Sequence, residues 1–114
     1  MTSKALAAAI SNLALEKKGK RIMMMDISGI TSFADFFVII TGDSKIHLKA
    51  IADHIEKELK KKKIKMYHKE GYQSLQWILI DYVDVIVHIF HEETREHYGI
   101  ERLWGDAKIE VIED

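Results

Sequence analysis

The chain has 114 residues, of which 47% are hydrophobic and 31% charged, which suits one folded domain and excludes wholesale disorder. Lys and Arg number 17 against 18 Asp and Glu, so the formal net charge of -1 argues against a protein that coats nucleic acid through bulk charge. The absence of cysteine from the sequence excludes disulfides, thiolate metal sites and cysteine nucleophiles.

The first third of the chain predicts one helix followed by two strands. Apolar residues at helical spacing, ending at Leu13, indicate the helix, and Gly19 stands where the left-handed residue after a helix is expected. Strands are expected at residues 21–27 and 35–41. Because the second of these is apolar at nearly every position, we expect it inside the sheet, covered on both faces.

A second helix and three more strands are predicted next. Ser44 can cap a helix whose apolar stripe extends over residues 48–59, and a run of lysines at residues 60–63 lies at its C-terminal end. We expect those lysines to be a solvated helix end, where cations suit the helix dipole. The three strands are expected at residues 64–67, 76–81 and 85–90, the last two as an antiparallel hairpin.

The final segment predicts one or two short helices over residues 92–104, interrupted near Gly99, and then an acidic tail at residues 108–114. The predicted order is α-β-β-α-β-β-β-α. This order indicates the α/β fold class, with a single domain over residues 1–107 that holds a mixed sheet of about five strands with helices packed on it.

Motifs for metal or phosphate chemistry are absent at the spacings they require. His91 and His97 are six residues apart, which places them about 120° apart around a helix, whereas paired zinc-binding histidines must share a helix face. The six glycines are isolated from one another, so the sequence has neither a dinucleotide-binding motif nor a P-loop. We therefore expect no metal site and no cofactor.

Asp81 and Asp84 are the best candidates for catalysis, because two carboxylates can hold Mg²⁺ for nucleotidyl transfer. Carboxylates on one face of a strand need D-x-D spacing, and these two are three residues apart across an expected turn. We therefore favour aspartates that bound a hairpin. A small nucleotidyltransferase-like, nucleotide-binding enzyme that uses Asp81 and Asp84 is the alternative function.

Several long blocks of the sequence resemble the Iojap or ribosomal silencing factor family. They are Asp35-Phe36-Phe37-Val38-Ile39, then Gly42-x-Ser44, then Lys49-x-Ile51-Ala52-Asp53, the run from Trp77 to Phe90, and Tyr98-x-x-Glu101-Arg102-Leu103-Trp104. The resemblance extends over nearly the whole chain. It implies a fold akin to that of nucleotidyltransferases but without their active site, and therefore a protein that is not an enzyme.

The resemblance also implies a function and partners. Members of the family bind a protein of the large ribosomal subunit at the face where the small subunit docks, block association of the two subunits and repress translation when nutrients are scarce. A homodimer of the free protein is implied as well. Contact with ribosomal RNA stays open, as does an RNA-binding domain that works through the lysines of residues 57–69. No apolar run approaches the about 18 residues of a membrane span, so we expect a cytoplasmic protein with no membrane partner.

The resemblance assigns the partner-binding residues to the hairpin and the last helical segment. We expect Trp77 and Tyr98 to be apolar anchors with polar tips. Asp81 and Glu101 are expected to meet basic groups on the ribosomal protein. The complete set is Trp77, Asp81, His88, Tyr98, Glu101, Arg102 and Trp104, with Trp104 the one most easily assigned to the core instead.

One departure from the family pattern concerns the hairpin turn. Where the family usually has Asp-Tyr-Gly-Asp, this chain has Val83 in the glycine position. A β-branched residue resists a positive φ, so we expect a turn that differs from the family's or is strained.

Overall fold

A computed structural model describes residues 1–74 and 76–112, which form one mixed sheet with helices on both faces. The helices are α1 (Ser3–Glu16), α2 (Lys45–Lys61), α3 (Glu92–Tyr98) and α4 (Ile100–Leu103). The strands are β1 (Lys20–Asp26), β2 (Phe36–Thr41), β3 (His68–Glu70), β4 (Trp77–Asp81), β5 (Val85–Phe90) and β6 (Lys108–Ile112). No helix in this described part of the chain is long and apolar enough to cross a membrane.

The sheet has six strands in the order β3-β4-β5-β2-β1-β6. Only β2 and β5 are paired in parallel, and the other four pairings are antiparallel. Strands β2 and β5 lie in the middle of the sheet, and every residue of both is buried. The predicted α/β class, the hairpin and the interior strand are therefore confirmed, but the expected count of about five strands is too low.

The strand expected at residues 64–67 is wrong, because β3 lies at His68–Glu70. Ile64 is needed to end the preceding helix, since its N–H donates to the carbonyl of Leu59 at 2.9 Å and its side chain packs on the core. The chain first meets β4 at Tyr67, whose N–H donates to the carbonyl of Asp81 at 2.7 Å. Pairing with β4 therefore begins only after the helix end has been completed.

The sixth strand lies in the segment that the sequence indicated as an acidic tail. β6 pairs antiparallel with β1, from Ile22 opposite Ile112 to Asp26 opposite Lys108. Residues 108–111 alternate between charged and β-branched side chains, which is the period of a strand with two different faces. Glu113 and Asp114, the last two residues of the predicted tail, lie outside the described residues.

The two faces of the sheet are covered differently. Alternate strand residues such as Val38 and Val87 point to the first face, where α1 and α2 pack over them. Their neighbours, such as Phe37 and Ile86, point to the second face, where Ile100 of α4 belongs to the core. Because α3 and α4 are short, the second face keeps partly exposed aromatic side chains around this smaller core.

Both long helices end in a Schellman arrangement with lysine in the left-handed position. Lys18 has φ 60° and Lys63 has φ 64°. The prediction that Gly19 is this left-handed residue is therefore wrong by one position. Glycine is required at 19 for close packing instead, because a Cβ there would lie 3.0 Å from Cγ2 of Ile40 and 3.1 Å from the carbonyl oxygen of Ala14.

The turn between β4 and β5 confirms the expected strain at Val83. Its φ is 74°, a left-handed conformation that a β-branched residue adopts at a cost. The turn is held by Oδ1 of Asp81, which accepts the N–H of Val83 at 2.7 Å, and by the N–H of Tyr82, which donates to the carbonyl of Val85 at 2.9 Å. The Val83 side chain itself is 58% exposed and contributes little burial.

We predict that Val83→Gly raises the free energy of unfolding by about 1 kcal/mol, because relief of strain exceeds the added backbone entropy of glycine in the unfolded chain. Urea unfolding with a Val83→Ala control measures this, since alanine removes the branched side chain but keeps a Cβ, and its gain should be smaller. A clear loss of stability in Val83→Gly would show that the turn is not strained.

Candidate functional site

An aromatic surface occupies the second face of the sheet where β4 and β5 meet α3 and α4. Trp77 of β4 lies opposite Phe90 of β5, and Leu79 lies opposite His88, so these side chains share one face. The ring centroid of Trp77 is 5.3 Å from that of Phe90, 5.8 Å from that of His88 and 4.6 Å from that of Tyr98. We define the aromatic surface as Phe33, Phe37, Trp77, His88, Phe90, Tyr98 and Trp104.

A buried histidine fixes the orientation of Trp77. Nε1 of Trp77 donates a hydrogen bond to Nδ1 of His88 at 3.1 Å. Because the indole N–H can only donate, Nδ1 must be unprotonated and His88 neutral. Burial lowers the pKa of His88 to about 4, which keeps it neutral at physiological pH. Nε2 of His88 has no hydrogen-bond partner among the described residues.

The second half of the aromatic surface is built around Phe37 of β2. The Trp104 ring meets Phe37 edge-on, with centroids 5.4 Å apart, and Phe33 lies 6.1 Å from Phe37 and 6.0 Å from Trp104. Edge-on and tilted pairs at these distances are favourable aromatic geometries. Phe37 is also 4.8 Å from His88, so the two halves of the surface are continuous.

A fully buried arginine attaches α3 and α4 to the end of the sheet. Arg95 is 0% exposed. Its Nη1 donates to the carbonyl of Arg21 at 2.6 Å and to Oγ1 of Thr41 at 2.8 Å, and its Nε donates to Oε1 of Glu101 at 2.6 Å. One guanidinium therefore joins the ends of β1 and β2 to both short helices.

The pKa values of Arg95 and Glu101 are set by burial and by the attraction between the two side chains. Burial lowers the pKa of Arg95, and the hydrogen bond that Arg95 donates to Glu101 opposes that shift. Burial alone would raise the pKa of Glu101, but the hydrogen bond from Arg95, a backbone hydrogen bond and the attraction of Arg95 and Arg21 together lower it below its usual range. Both groups are therefore charged at neutral pH, and each depends on the other for compensation.

An outer layer of ion pairs surrounds Arg95. Arg21 lies in an irregularity of β1 at φ 48°, and this bulge lets its carbonyl reach Arg95. The Arg21 guanidinium pairs with Glu92, and with Glu96 at 3.0 Å. These side chains are about half exposed, so each such pair contributes roughly 0–1 kcal/mol to stability.

The structure brings three of the seven predicted residues, Trp77, His88 and Tyr98, into one cluster. Trp104 joins this cluster through Phe37 and is half-buried. Tyr98 is 51% exposed and is the most accessible ring of the cluster, whereas His88 lies beneath it.

The three charged residues of the predicted set are placed differently. Asp81 and Trp77 lie at opposite ends of β4, and one carboxylate oxygen of Asp81 accepts a hydrogen bond from the backbone of the hairpin turn. Glu101 is held by Arg95. Arg102 is exposed, and its Nη2 donates to the carbonyl of Glu96 at 2.9 Å. The helix break itself is at Gly99, whose φ of 54° is a left-handed conformation that residues with a Cβ rarely adopt.

The candidate catalytic pair lies at the two ends of the hairpin turn. Asp81 ends β4 and Asp84 precedes β5, so the two carboxylates bound the hairpin as predicted. The carbonyl of Asp84 accepts the N–H groups of Asp35 and Phe36 at 2.8 and 3.1 Å. Within the described part of the chain, no group of three or more His, Cys, Asp or Glu side chains is arranged to hold a metal ion.

Sequence reasoning missed Arg95 and Phe33. The sequence shows an arginine among the carboxylates of Glu92, Glu93 and Glu96, which is typical of an exposed helix with surface ion pairs. That this cation is buried depends on Thr41 and Arg21, which are distant in sequence. Phe33 stands in a loop, where the sequence gives no periodicity to indicate which face it joins.

Comparison with known proteins identifies the family. The family described as "RsfS: Ribosomal silencing factor during starvation" matches residues 1–114. The chain belongs to the ribosomal silencing factor family. This confirms the resemblance that the sequence blocks indicated.

Members and relatives of this silencing factor family align with most or all of the chain. The "Ribosomal silencing factor RsfS" of Halalkalibacterium halodurans is 36% identical over 113 residues, which are 99% of this chain and 97% of that protein. A crystal structure of a Chromobacterium violaceum protein superposes with a TM-score of 0.89 at 32% identity, covering 100% of this chain and 95% of that one. The mouse "Mitochondrial assembly of ribosomal large subunit protein 1" is 30% identical over 82% of this chain, which spans 42% of that protein.

We predict that Arg95→Met lowers the free energy of unfolding by about 3 kcal/mol or more, because it leaves Glu101 buried without its cation. In a double-mutant cycle measured by urea unfolding, Arg95→Met with Glu101→Gln should cost clearly less than the two single changes added together. If Arg95→Met fails to fold, the double variant should still fold. Additive costs would contradict a coupled pair.

We predict that His88 makes stability fall as the solution is acidified below its unfolded pKa near 6.5. Between that value and about 4, the unfolded chain binds a proton that the folded chain excludes, so protonation favours unfolding. The free energy of unfolding should lose about 2 kcal/mol from this group between pH 7 and pH 5. Unfolding of wild type and His88→Gln across this range isolates the effect, and parallel pH profiles would contradict it.

Proposed function

We propose that this ribosomal silencing factor binds a protein of the large ribosomal subunit through the aromatic surface. Binding at the face where the small subunit docks blocks association of the subunits and represses translation in the cytoplasm. The observation that carries the proposal is the Trp77–Tyr98 pair, an oriented and partly exposed aromatic cluster on the face that the long helices leave uncovered. The mouse relative, named "Mitochondrial assembly of ribosomal large subunit protein 1", supports the large subunit as the partner.

The aromatic surface has the properties of a protein-binding anchor. Trp and Tyr are over-represented among residues that dominate interface energies. Trp77 is held by its hydrogen bond to His88, and Tyr98 is carried by a helix that Arg95 fixes to the sheet. Such preorganisation lowers the entropy that binding would otherwise cost. His88 and Glu101 thus act by positioning the surface.

The charge around the aromatic surface fits a basic partner. Residues 92–112 carry six Asp and Glu against three Lys and Arg. Arg95 is buried and compensated by Glu101, so the exposed charge of this segment is mainly acidic. A basic ribosomal protein would be steered towards such a surface, which raises the association rate and fixes the orientation.

The free protein is proposed to be a homodimer, as expected for its family. The exposed apolar side chains on the second face, Phe33 and Tyr98 among them, support association through this face. A dimer formed there would compete with the ribosomal partner for the same side chains.

We predict that Trp77→Ala and Tyr98→Ala each weaken binding to the large subunit by about tenfold or more, the range of interface anchors. Purified subunits allowed to rejoin at raised Mg²⁺ are separated on sucrose gradients with each protein present. The wild type should co-sediment with the large subunit and prevent rejoining, and both variants should fail.

Ile46→Ala is the matched control, since Ile46 is 82% exposed on α2, on the opposite side of the sheet. It should block rejoining as the wild type does. Equal blocking by Trp77→Ala and Tyr98→Ala, with both variants folded, would exclude the aromatic surface as the binding site. Normal rejoining with wild type would contradict the function itself.

A further inference from the structure

A positively charged surface lies at the C-terminal end of α2, on the opposite face of the sheet from the aromatic surface. Residues 57–65 contain six lysines and one glutamate, in a chain whose net charge is -1. All six lysines are exposed. Among the described residues, only Lys61 of these six has a carboxylate within ion-pair distance, Glu58 at 2.9 Å. The other five have no such partner among the described residues and extend into solvent. They are Lys57, Lys60, Lys62, Lys63 and Lys65.

The lysines border a groove of about 610 Å³. We define the lysine groove by its lining residues, Asp53, Glu56, Lys57, Lys60, Ile64, Lys65, Met66 and Tyr82. Of its two carboxylates, Glu56 pairs with Lys69 at 3.1 Å, whereas Asp53, which accepts the hydroxyl of Tyr72 at 2.7 Å, keeps its charge, so the three lining lysines face one uncompensated carboxylate. The charge left for a ligand is therefore positive.

The backbone under these lysines is fixed by the helix end. The N–H of Lys63 donates to the carbonyl of Lys60, and that of Ile64 to the carbonyl of Leu59, each at 2.9 Å. Lys63 occupies the left-handed position at φ 64°, where glycine would avoid a cost of about 1 kcal/mol. The chain thus carries a cation at a position that backbone energetics alone would give to glycine.

An exposed aromatic residue directly follows two lining residues of the groove in the chain. Tyr67 is 78% exposed and follows Lys65 and Met66 directly. Its backbone is held to β4 by the hydrogen bond from its N–H to the carbonyl of Asp81. Cations that meet phosphates next to a ring that stacks on a base are the combination used for single-stranded nucleic acid.

A membrane fits this surface less well than RNA. Peripheral helices bind lipid by inserting an apolar face. The apolar stripe of α2 (Leu48, Ile51, Ile55 and Leu59) is fully buried against the sheet, so the helix presents lysines without an apolar face.

We propose that the lysine groove binds a single-stranded segment of RNA, with Lys57, Lys60 and Lys65 on successive phosphates and one base stacked on Tyr67. The inference rests on the proposed function in one respect, since the RNA that the protein meets would be that of the large subunit. The two binding surfaces lie on opposite faces of the sheet, so each can be removed without the other.

The test measures binding of the full chain to fluorescently labelled oligouridine of about 12 nucleotides by anisotropy over a range of salt concentrations. Lys57→Gln/Lys60→Gln/Lys65→Gln should weaken binding at least tenfold and flatten the slope of log affinity against log salt by about 2, since each phosphate on a single strand contributes about 0.7. Tyr67→Ala should weaken binding about fivefold or more at every salt concentration and leave the slope unchanged.

The matched control is Lys4→Gln/Lys17→Gln/Lys45→Gln, which removes the same charge from exposed positions elsewhere. An equal loss in both triple variants would mean bulk charge and would overturn the inference, as would no binding by wild type. Vesicles of phosphatidylserine and phosphatidylcholine form a second arm. Binding to them in preference to RNA, lost in the groove variant, would assign the groove to lipid and overturn it as well.

Together with RNA binding, the subunit-rejoining assay distinguishes failure of one proposal from failure of the other. Trp77→Ala and Tyr98→Ala should retain binding to the free oligonucleotide but lose binding to the large subunit. Failure of the lysine groove to bind RNA would leave the aromatic surface unaffected. Loss of the ability to block rejoining in the aromatic variants, together with unchanged RNA binding, supports both proposals.

Discussion

The buried guanidinium of Arg95 is the constraint on which the second face of the sheet depends. Helices α3 and α4 have only seven and four residues and would not persist on their own. Arg95 attaches them to the ends of β1 and β2, and Glu101 compensates its charge. Because a buried cation without these partners is very unfavourable, the arrangement is close to all-or-none. The position of Tyr98 against Trp77 follows from it.

The unequal covering of the sheet explains how one small domain presents two different surfaces. On the first face, α1 and α2 bury an aliphatic core, and the C-terminal end of α2 presents exposed lysines. On the second face, short helices leave aromatic rings at the edge of a smaller core. The first surface has charge suited to phosphates, and the second has oriented rings with acidic neighbours. These are the two kinds of contact that the proposed binding to a ribosomal protein and to RNA would use.

Local features of the fold could be predicted from the sequence, and features set by distant residues could not. The stripe from Leu48 to Leu59 and the hairpin between β4 and β5 follow from periodicity, and the positive φ of Val83 follows from comparison with the family pattern. The strand expected at residues 64–67 was displaced because Ile64 completes the end of α2. Trp77 and Tyr98 could be singled out by residue type, but the burial of His88 and the pairing of Glu101 with Arg95 require the assembled sheet.

Hydrogen exchange of the protein, free and bound to purified large subunits, tests most directly whether the second face is the one that binds. Short helices held by few contacts should exchange quickly in the free protein. Binding to the large subunit should slow exchange most strongly in α3 and α4 and at the start of β4, around Trp77. Protection confined to α1 and the first turns of α2, with α3 and α4 unchanged, would contradict it.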